Sequence, residues 1–207
     1  MNRAFWNIHK NKIMAIAFCG LGIAVYIAQL VFLGVFIGWS NYFAGFWSYI
    51  NIVITSVVYL MLLITNIQND NRAYVAIELL TVFLIYDAIW AFLPIGNNLF
   101  QFFGMGFPTW LYGLILVLTA GGVIGMGIPF LIFLIRYRLM RGSYEQLSLW
   151  AYLFVGAVAL DAIANIVIGI FLYGGDAKSI ALQLLLVLPD VFMMVACLFT
   201  LRRLRRF

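Results

Sequence analysis

The chain has 207 residues, of which 66% are hydrophobic, 17% are aromatic and only 9% are charged. A soluble domain carries roughly 25% charged residues, so 12 basic and 7 acidic residues cannot cover a water-facing surface for this length. The composition excludes a soluble globule, a disordered segment and a fibre, and it predicts a polytopic membrane protein.

Six apolar runs follow one another along the chain, and each is long enough to cross a bilayer, which takes roughly 20 residues. They cover Ile13–Gly38, Phe46–Thr65, Ala73–Leu93, Thr109–Ile135, Leu147–Tyr173 and Ile180–Leu201. We expect helices, because the hydrocarbon core offers backbone groups no water to bond. The prediction is an all-α fold, in which a bundle of six transmembrane helices forms a single transmembrane domain over residues 1–207.

The basic residues are distributed over the predicted connections as a six-span topology requires. Eleven of the twelve fall on one side of the membrane: Arg3, Lys10, Lys12, Arg72, Arg136, Arg138, Arg141, Arg202, Arg203, Arg205 and Arg206. Only Lys178 falls on the other side. Since lysine and arginine favour cytoplasmic loops, both termini are predicted to be cytoplasmic and the membrane to be the plasma membrane.

Seven of these arginines are candidate contacts for anionic lipids of the cytoplasmic leaflet, where each basic residue contributes about 1 kcal/mol. They are Arg136, Arg138 and Arg141 between the fourth and fifth spans, and Arg202, Arg203, Arg205 and Arg206 after the sixth. A partner-docking role for the last four is an alternative. Because the basic residues are juxtamembrane and form no patch on a globular face, nucleic acid is not an expected partner.

A weak internal repeat emerges when the two halves of the sequence are compared at an offset of 103 residues, which aligns Trp47 with Trp150 and Asp87 with Asp190. Three spans in each half would give the halves opposite orientations, as in transporters built from inverted repeats. Most other aligned pairs do not match, so the repeat rests on these uncommon residues.

Three aspartates lie deep inside the apolar runs, and none has a lysine or arginine within its own span. Asp87 falls in the outer half of the third span, Asp161 near the middle of the fifth, and Asp190 near the middle of the sixth. An ionised aspartate at the centre of a bilayer costs about 2.5–3.5 kcal/mol on insertion scales. We therefore expect the three side chains to face the interior of the bundle.

Polar residues at helical spacing extend the surroundings of these acids. Asn165 follows Asp161 by four residues and shares its helix face, and Asn51, Thr55 and Tyr59 form a polar stripe on the second span. The predicted substrate or ion site consists of Asp87, Asp161, Asn165, Asp190, Asn51 and Thr55. The alternative is that these residues only join helices through hydrogen bonds, which contribute about 0.6–2 kcal/mol each.

Cofactors, metals and catalytic residues are not predicted. No lysine lies inside a span, which excludes a retinal Schiff base, and His9 is the only histidine, which excludes bis-histidine haem and histidine-based zinc sites. The two cysteines, Cys19 and Cys197, lack the spacing of metal ligands. The HExxH and GxSxG motifs of metalloproteases and hydrolases are also missing, so an enzyme is not the preferred interpretation.

The preferred hypothesis is a small transport protein that binds a cation, a proton or a small polar solute at the intramembrane acids, since such acids mark pathways and relays. A lipid-modifying membrane enzyme that uses a pair of aspartates is a third and less favoured class.

The alternative to transport is a non-catalytic scaffold or a subunit of a larger membrane complex. Small residues recur every four positions at Gly20, Ala24 and Ala28 in the first span, and Gly121 and Gly125 repeat the pattern in the fourth. Such stripes allow close helix packing and could receive another membrane subunit or a second copy of the chain. In topology the chain resembles the substrate-capture subunits of vitamin-type importers, and this resemblance would imply substrate capture for a partner complex.

Overall fold

The computed structural model describes residues 3–35, 46–68, 70–104, 109–173 and 177–205. Within these ranges the chain forms six helices and no strand: α1 (Arg3–Leu33), α2 (Phe46–Ile67), α3 (Ala73–Gly104), α4 (Thr109–Arg138), α5 (Tyr144–Tyr173) and α6 (Ala177–Arg203). Each helix contains a segment long and apolar enough to cross a membrane. This confirms the predicted all-α architecture of six membrane helices.

Several helix ends agree with the predicted spans, and others do not. Three starts, at Phe46, Ala73 and Thr109, and the end of α5 at Tyr173 were all predicted from the apolar runs. The first helix begins much earlier than its apolar run, because polar residues continue a helix where it leaves the hydrocarbon. It ends at Leu33 and is followed by a π turn over residues 34–35. The predicted end at Gly38 lies outside the described residues.

The third helix shows the largest difference from the prediction. We expected a connection over Pro94–Pro108, but the backbone stays helical as far as Gly104. A proline removes one backbone hydrogen bond, and helices in membranes tolerate this loss better than helices in water. Pro129 in α4 and Pro189 in α6 likewise lie inside continuous helices. The end of the apolar run at Leu93 was therefore the wrong signal for the end of this helix.

The chain divides into two compact units. Unit 1 consists of Met1–Leu80 and Asp176–Phe207, and unit 2 consists of Thr81–Gly175. Unit 1 thus contains α1, α2, α6 and the first residues of α3, while the rest of α3, α4 and α5 belong to unit 2. These units are not the two halves aligned in the sequence, and the inverted repeat, the single domain and the cytoplasmic termini stay predictions.

In unit 1, α1 packs against both α6 and α2. The closest approach occurs at Gly22, where an added Cβ atom would lie 3.0 Å from Cε of Met193 and 3.3 Å from the carbonyl oxygen of Pro189. On the same seam, Phe18 contacts Phe192 and Phe199 with ring centroids 6.3 and 5.7 Å apart. A small residue at position 22 lets the two backbones approach.

Polar contacts join the end of α6 to the end of α2, to the turn that follows α2 and to the start of α3, at the end of unit 1 that is predicted to be cytoplasmic. The buried Asn66 amide donates to Oγ1 of Thr200 at 3.0 Å, and the Tyr74 hydroxyl donates to the Leu204 carbonyl at 2.9 Å. Arg203 is only 6% exposed and donates to the Asp70 carbonyl at 3.4 Å. The side chain of Arg203 therefore does not lie on the surface, where a predicted lipid contact would place it.

In unit 2, α4 packs against α5, and Gly127 of α4 lies at a tight contact. A Cβ atom at Gly127 would lie 2.7 Å from Cγ1 of Ile85 in α3 and 2.9 Å from Cε2 of Phe154 in α5. The Phe154 ring in turn stacks on Phe130, with centroids 5.4 Å apart. Gly125, only two residues away, has nothing within 4 Å of the corresponding position. The glycines of α4 thus include both a packed position and an open one.

The connection between α4 and α5 contains a residue in a left-handed conformation. Met140 has a φ of 60° and is 78% exposed. Two hydrogen bonds close the end of α4: the amide of Arg141 donates to the Arg136 carbonyl at 2.8 Å, and the amide of Met140 donates to the Tyr137 carbonyl at 3.1 Å. This is a Schellman motif, in which glycine usually occupies the position taken here by Met140.

We expect Gly127→Ala to destabilise the protein by about 1–3 kcal/mol, because the added methyl group must displace packed side chains. Unfolding in detergent, followed by circular dichroism, measures this effect. The matched control is Gly125→Ala, which adds the same methyl group to an open position of the same helix and should be neutral or stabilising. Equal stability of the two variants would contradict the packing of α4.

We expect Met140→Gly to stabilise the protein by about 1 kcal/mol, because glycine adopts the left-handed conformation without the penalty of a Cβ atom. The same unfolding experiment checks this. Met140→Ala is the control, since it removes the exposed side chain and retains the unfavourable conformation. If alanine stabilised the protein as much as glycine, the backbone of this turn would not be as described.

Candidate intramembrane binding sites

Asp161, near the middle of α5, is held by two uncharged donors. The Thr119 hydroxyl on α4 donates to Oδ1 of Asp161 at 2.6 Å, and the Asn165 amide donates to Oδ2 at 3.1 Å. The Asn165 amide also lies 2.8 Å from the backbone carbonyl of Asp161. Asp161 and Asn165 thus share a face as their spacing predicts, and both side chains are half-buried.

Thr119 was not among the predicted site residues, although it stands in the middle of the apolar fourth span. Its hydroxyl lies within hydrogen-bond distance of the Leu116 carbonyl, at 3.2 Å, as well as of Asp161. A hydroxyl has one proton and two acceptor lone pairs. It can therefore donate to the carbonyl of its own helix and turn a lone pair towards a bound cation.

Asp87 of α3 belongs to the same unit, and its carboxyl interacts electrostatically with that of Asp161. The side chain of Asp87 is exposed, whereas we expected it to face the interior of the bundle. Two carboxylates that interact in this way repel each other when both are ionised, and a proton or a cation relieves the repulsion. We call this group of Asp87, Asp161, Thr119 and Asn165 the paired-acid site.

Asp190, on α6 in unit 1, has a different environment. The Tyr59 hydroxyl on α2 donates to Oδ1 of Asp190. Tyr59 is only 2% exposed, and its ring packs edge-on against Tyr26 of α1, with centroids 5.4 Å apart. The Tyr26 hydroxyl donates in turn to the Ile52 carbonyl at 3.4 Å. We call Asp190 with Tyr59 and Tyr26 the phenol–acid site.

The polar stripe of α2 is present, and its first two members, Asn51 and Thr55, interact with each other. The Thr55 hydroxyl lies 2.8 Å from the backbone carbonyl of Asn51 and 3.0 Å from its side-chain Oδ1. Thr55 is buried and Asn51 is exposed. The member of this stripe that bonds an acid is Tyr59, which stands four residues after Thr55. Its position on the stripe identified it as a polar residue of α2, and nothing in the sequence indicated its contact with Asp190.

The six predicted site residues are therefore distributed over two units. Asp87, Asp161 and Asn165 lie in unit 2, whereas Asn51, Thr55 and Asp190 lie in unit 1. The structure brings together Asp161 with Asn165, and Asn51 with Thr55. We describe two sites, each within its own unit.

Most of the polar atoms in both sites that could bind a cation are oxygens. In the part of the chain that the structure describes, no three His, Cys, Asp or Glu side chains form a group that could hold a metal ion. Cys19 and Cys197 are both buried, reduced residues of the packed core of unit 1. Hydroxyl, amide and carboxylate oxygens are ligands for hard cations. A site with only a few such ligands binds a cation weakly, so that the cation can exchange.

The arginines predicted to contact lipid occupy several environments. Arg136, Arg138 and Arg141 are exposed around the turn between α4 and α5, and Arg202 and Arg205 are exposed after α6. The guanidinium of Arg202 lies 5.5 Å from the centroid of the Phe199 ring. Arg206 lies outside the described residues.

Comparison with known proteins adds no relative: no protein-family model, curated protein or solved structure matches this chain.

Proposed function

We propose that this chain is a membrane transport protein that binds a small cation at the paired-acid site. The observation that carries the proposal is the carboxyl of Asp161, which lies within a membrane-spanning helix and is held by the Thr119 hydroxyl and the Asn165 amide. The groups that hold Asp161 are a hydroxyl and an amide, which orient a carboxylate without neutralising its charge. A bound cation supplies the missing charge.

A purely structural role accounts less well for these residues. Hydrogen bonds between membrane helices need only neutral side chains, and such bonds contribute about 0.6 kcal/mol on average. Asparagine at position 161 could join the helices without the cost of a charge in the bilayer. A second acid in the same unit, Asp87, increases that cost, which favours a site whose charge is used.

Asp87 is proposed to be the first acid that the ion meets, because its side chain is exposed and that of Asp161 is half-buried. An ion that is first bound by Asp87 can then be bound by the carboxylate of Asp161 and by the hydroxyl of Thr119, which can rotate towards it. Moderate affinity is required of a transport site, since the ion must also leave.

The proposal includes an orientation and a location. Both termini are placed in the cytoplasm and the protein in the plasma membrane, because eleven of the twelve basic residues fall on one side of the six spans. The exposed arginines at the α4–α5 turn and after α6 are proposed to contact anionic lipids there.

A second candidate function is favoured by the exposed small-residue face of α1. Gly20, Ala24 and Ala28 are all exposed, and nothing lies within 4 Å of a Cβ atom at Gly20. A face of this kind would suit a subunit of a larger membrane complex. Purification in mild detergent tests this: a stoichiometric partner supports it, and a homogeneous single chain with transport activity contradicts it.

Thermal unfolding of the purified protein in Na⁺, K⁺, Mg²⁺ or Mn²⁺ chloride tests the transport proposal. A ligand at 100 times its dissociation constant stabilises the folded state by about 2.7 kcal/mol, so the bound cation should raise the Tm. We expect Asp161→Asn to abolish this rise and Asp87→Asn to reduce it, and we expect uptake of the same cation into liposomes to fall in parallel.

The matched control is Glu145→Gln, which removes an exposed acid from the first turn of the same helix, α5, and should leave the response unchanged. Thr119→Val should weaken the response, and Thr119→Ser, which retains the hydroxyl, should restore it. The proposal fails if none of the four cations raises the Tm, or if Asp161→Asn responds and transports as the wild type does.

A further inference from the structure

Two cysteines and a methionine bring three sulfur atoms to the contact between α1 and α6 in unit 1. Cys19 lies on α1, and Met193 and Cys197 lie on α6. All three side chains are almost completely buried, with at most 1% of each exposed. The paired-acid site belongs to unit 2 and uses none of these sulfur atoms. Their chemistry is therefore independent of the proposed cation transport.

The helices α1 and α6 run antiparallel where they touch, and two contacts set their register. Phe18 of α1 stacks on Phe199 of α6. One turn further along α1, a Cβ atom at Gly22 would lie 3.3 Å from the carbonyl oxygen of Pro189, which precedes Phe199 in α6. Cys19, between Phe18 and Gly22, therefore lies level with the part of α6 between Pro189 and Phe199.

Met193 and Cys197 belong to this part of α6, and they share a face of the helix because they are four residues apart. Cys19 likewise shares a face of α1 with Gly22, three residues further on. A Cβ atom at Gly22 would lie 3.0 Å from Cε and 3.3 Å from Cγ of Met193. The thioether sulfur is bonded to both of these carbons, so it lies against the face of α1 to which Cys19 belongs.

The donor set of these three side chains is soft. The Cys19 and Cys197 thiols are reduced and interact electrostatically with each other. Thiolates and thioethers select Cu(I), whereas the carboxylate and hydroxyl oxygens of the paired-acid site suit hard cations. A structural zinc ion requires four ligands in a tetrahedral arrangement, and these residues supply three. The set therefore suits a soft monovalent cation of low coordination number.

We propose that Cys19, Met193 and Cys197 form a binding site for Cu(I), which links α1 to α6. The ion replaces the proton of one thiol, and this proton is released to the solution. The other thiol and the thioether bind as neutral ligands. One thiolate and one Cu(I) together carry no net charge, which suits an apolar interior. Copper is neither oxidised nor reduced in this step.

The position of the site favours an ion that comes from the cytoplasm, where thiols stay reduced. Cys197 lies within two turns of the end of α6 at Arg203, on the side of unit 1 that is predicted to be cytoplasmic. Helix ends open locally at a lower free-energy cost than the whole fold. Local opening of this end gives the ion a path to the buried sulfur atoms.

Titration of the full chain in detergent with Cu(I), kept reduced by ascorbate and buffered by a competing chelator, tests the site. In the wild type, we expect one tightly bound equivalent, an ultraviolet charge-transfer band from thiolate to copper, and sulfur alone in the first shell by X-ray absorption. Cys19→Ala and Cys197→Ala should each lose the tightly bound equivalent. Circular dichroism checks that both variants are folded.

Met193→Leu removes the thioether at nearly constant volume. It should weaken Cu(I) binding and reduce the number of sulfur ligands from three to two. The matched control is Met126→Leu, the same change in α4 of unit 2, which should do neither. Asp161→Asn should bind Cu(I) as the wild type does, so the outcome does not depend on the proposed transport function.

The inference is overturned if either alanine variant retains the tightly bound equivalent, because the two cysteines then do not share one ion. It is also overturned if the first shell of the bound copper contains nitrogen or oxygen, which would place the ion elsewhere. If the oxidant diamide joins Cys19 to Cys197 in a disulfide while the reduced wild type binds no Cu(I), the two thiols form a redox pair and not a metal site.

Discussion

The rest of this structure depends on one constraint, which is that a bilayer offers no partner to a polar group. Backbone groups satisfy this requirement within the six helices, and polar side chains satisfy it with one another. Asn66 bonds Thr200, Thr119 bonds Asp161, and Tyr59 bonds Asp190. Neutral donors suffice for the first pair, and the donors that hold the carboxyl of Asp161, Thr119 and Asn165, are also uncharged. An acid held by neutral donors inside a membrane helix is the reason to seek function at Asp161.

The fold was largely predictable because its main signal is local. Apolar runs of sufficient length predicted all six helices, and an i, i+4 spacing predicted that Asp161 and Asn165 share a face. The extension of α3 past Pro94 was missed, because the apolar run ends at Leu93 and a membrane helix tolerates a proline that would end many helices in water. Local signals also could not show which glycines pack closely. Gly127 meets Ile85 and Phe154, whereas Gly125 meets nothing.

The sites were only partly predictable, because their completion depends on contacts between helices. Thr119 and Tyr59 lie on α4 and α2, and no spacing within α5 or α6 reveals that they bond the acids of those helices. The same holds for the electrostatic interaction of Asp87 with Asp161. Composition identified the acids as unusual, and packing then supplied two different chemistries: a pair of carboxylates with hydroxyl and amide oxygens, and a single carboxylate with a phenol.

Anomalous diffraction from crystals grown with Mn²⁺, or with Tl⁺ in place of K⁺, tests the central claim most directly, because it locates the ion without any assumption about transport. The account predicts an anomalous peak within coordination distance of the carboxylates of Asp161 and Asp87, with the Thr119 hydroxyl turned towards the Leu116 carbonyl. It is contradicted if the peak is missing at saturating cation while Asp161 keeps its hydrogen bonds to Thr119 and Asn165.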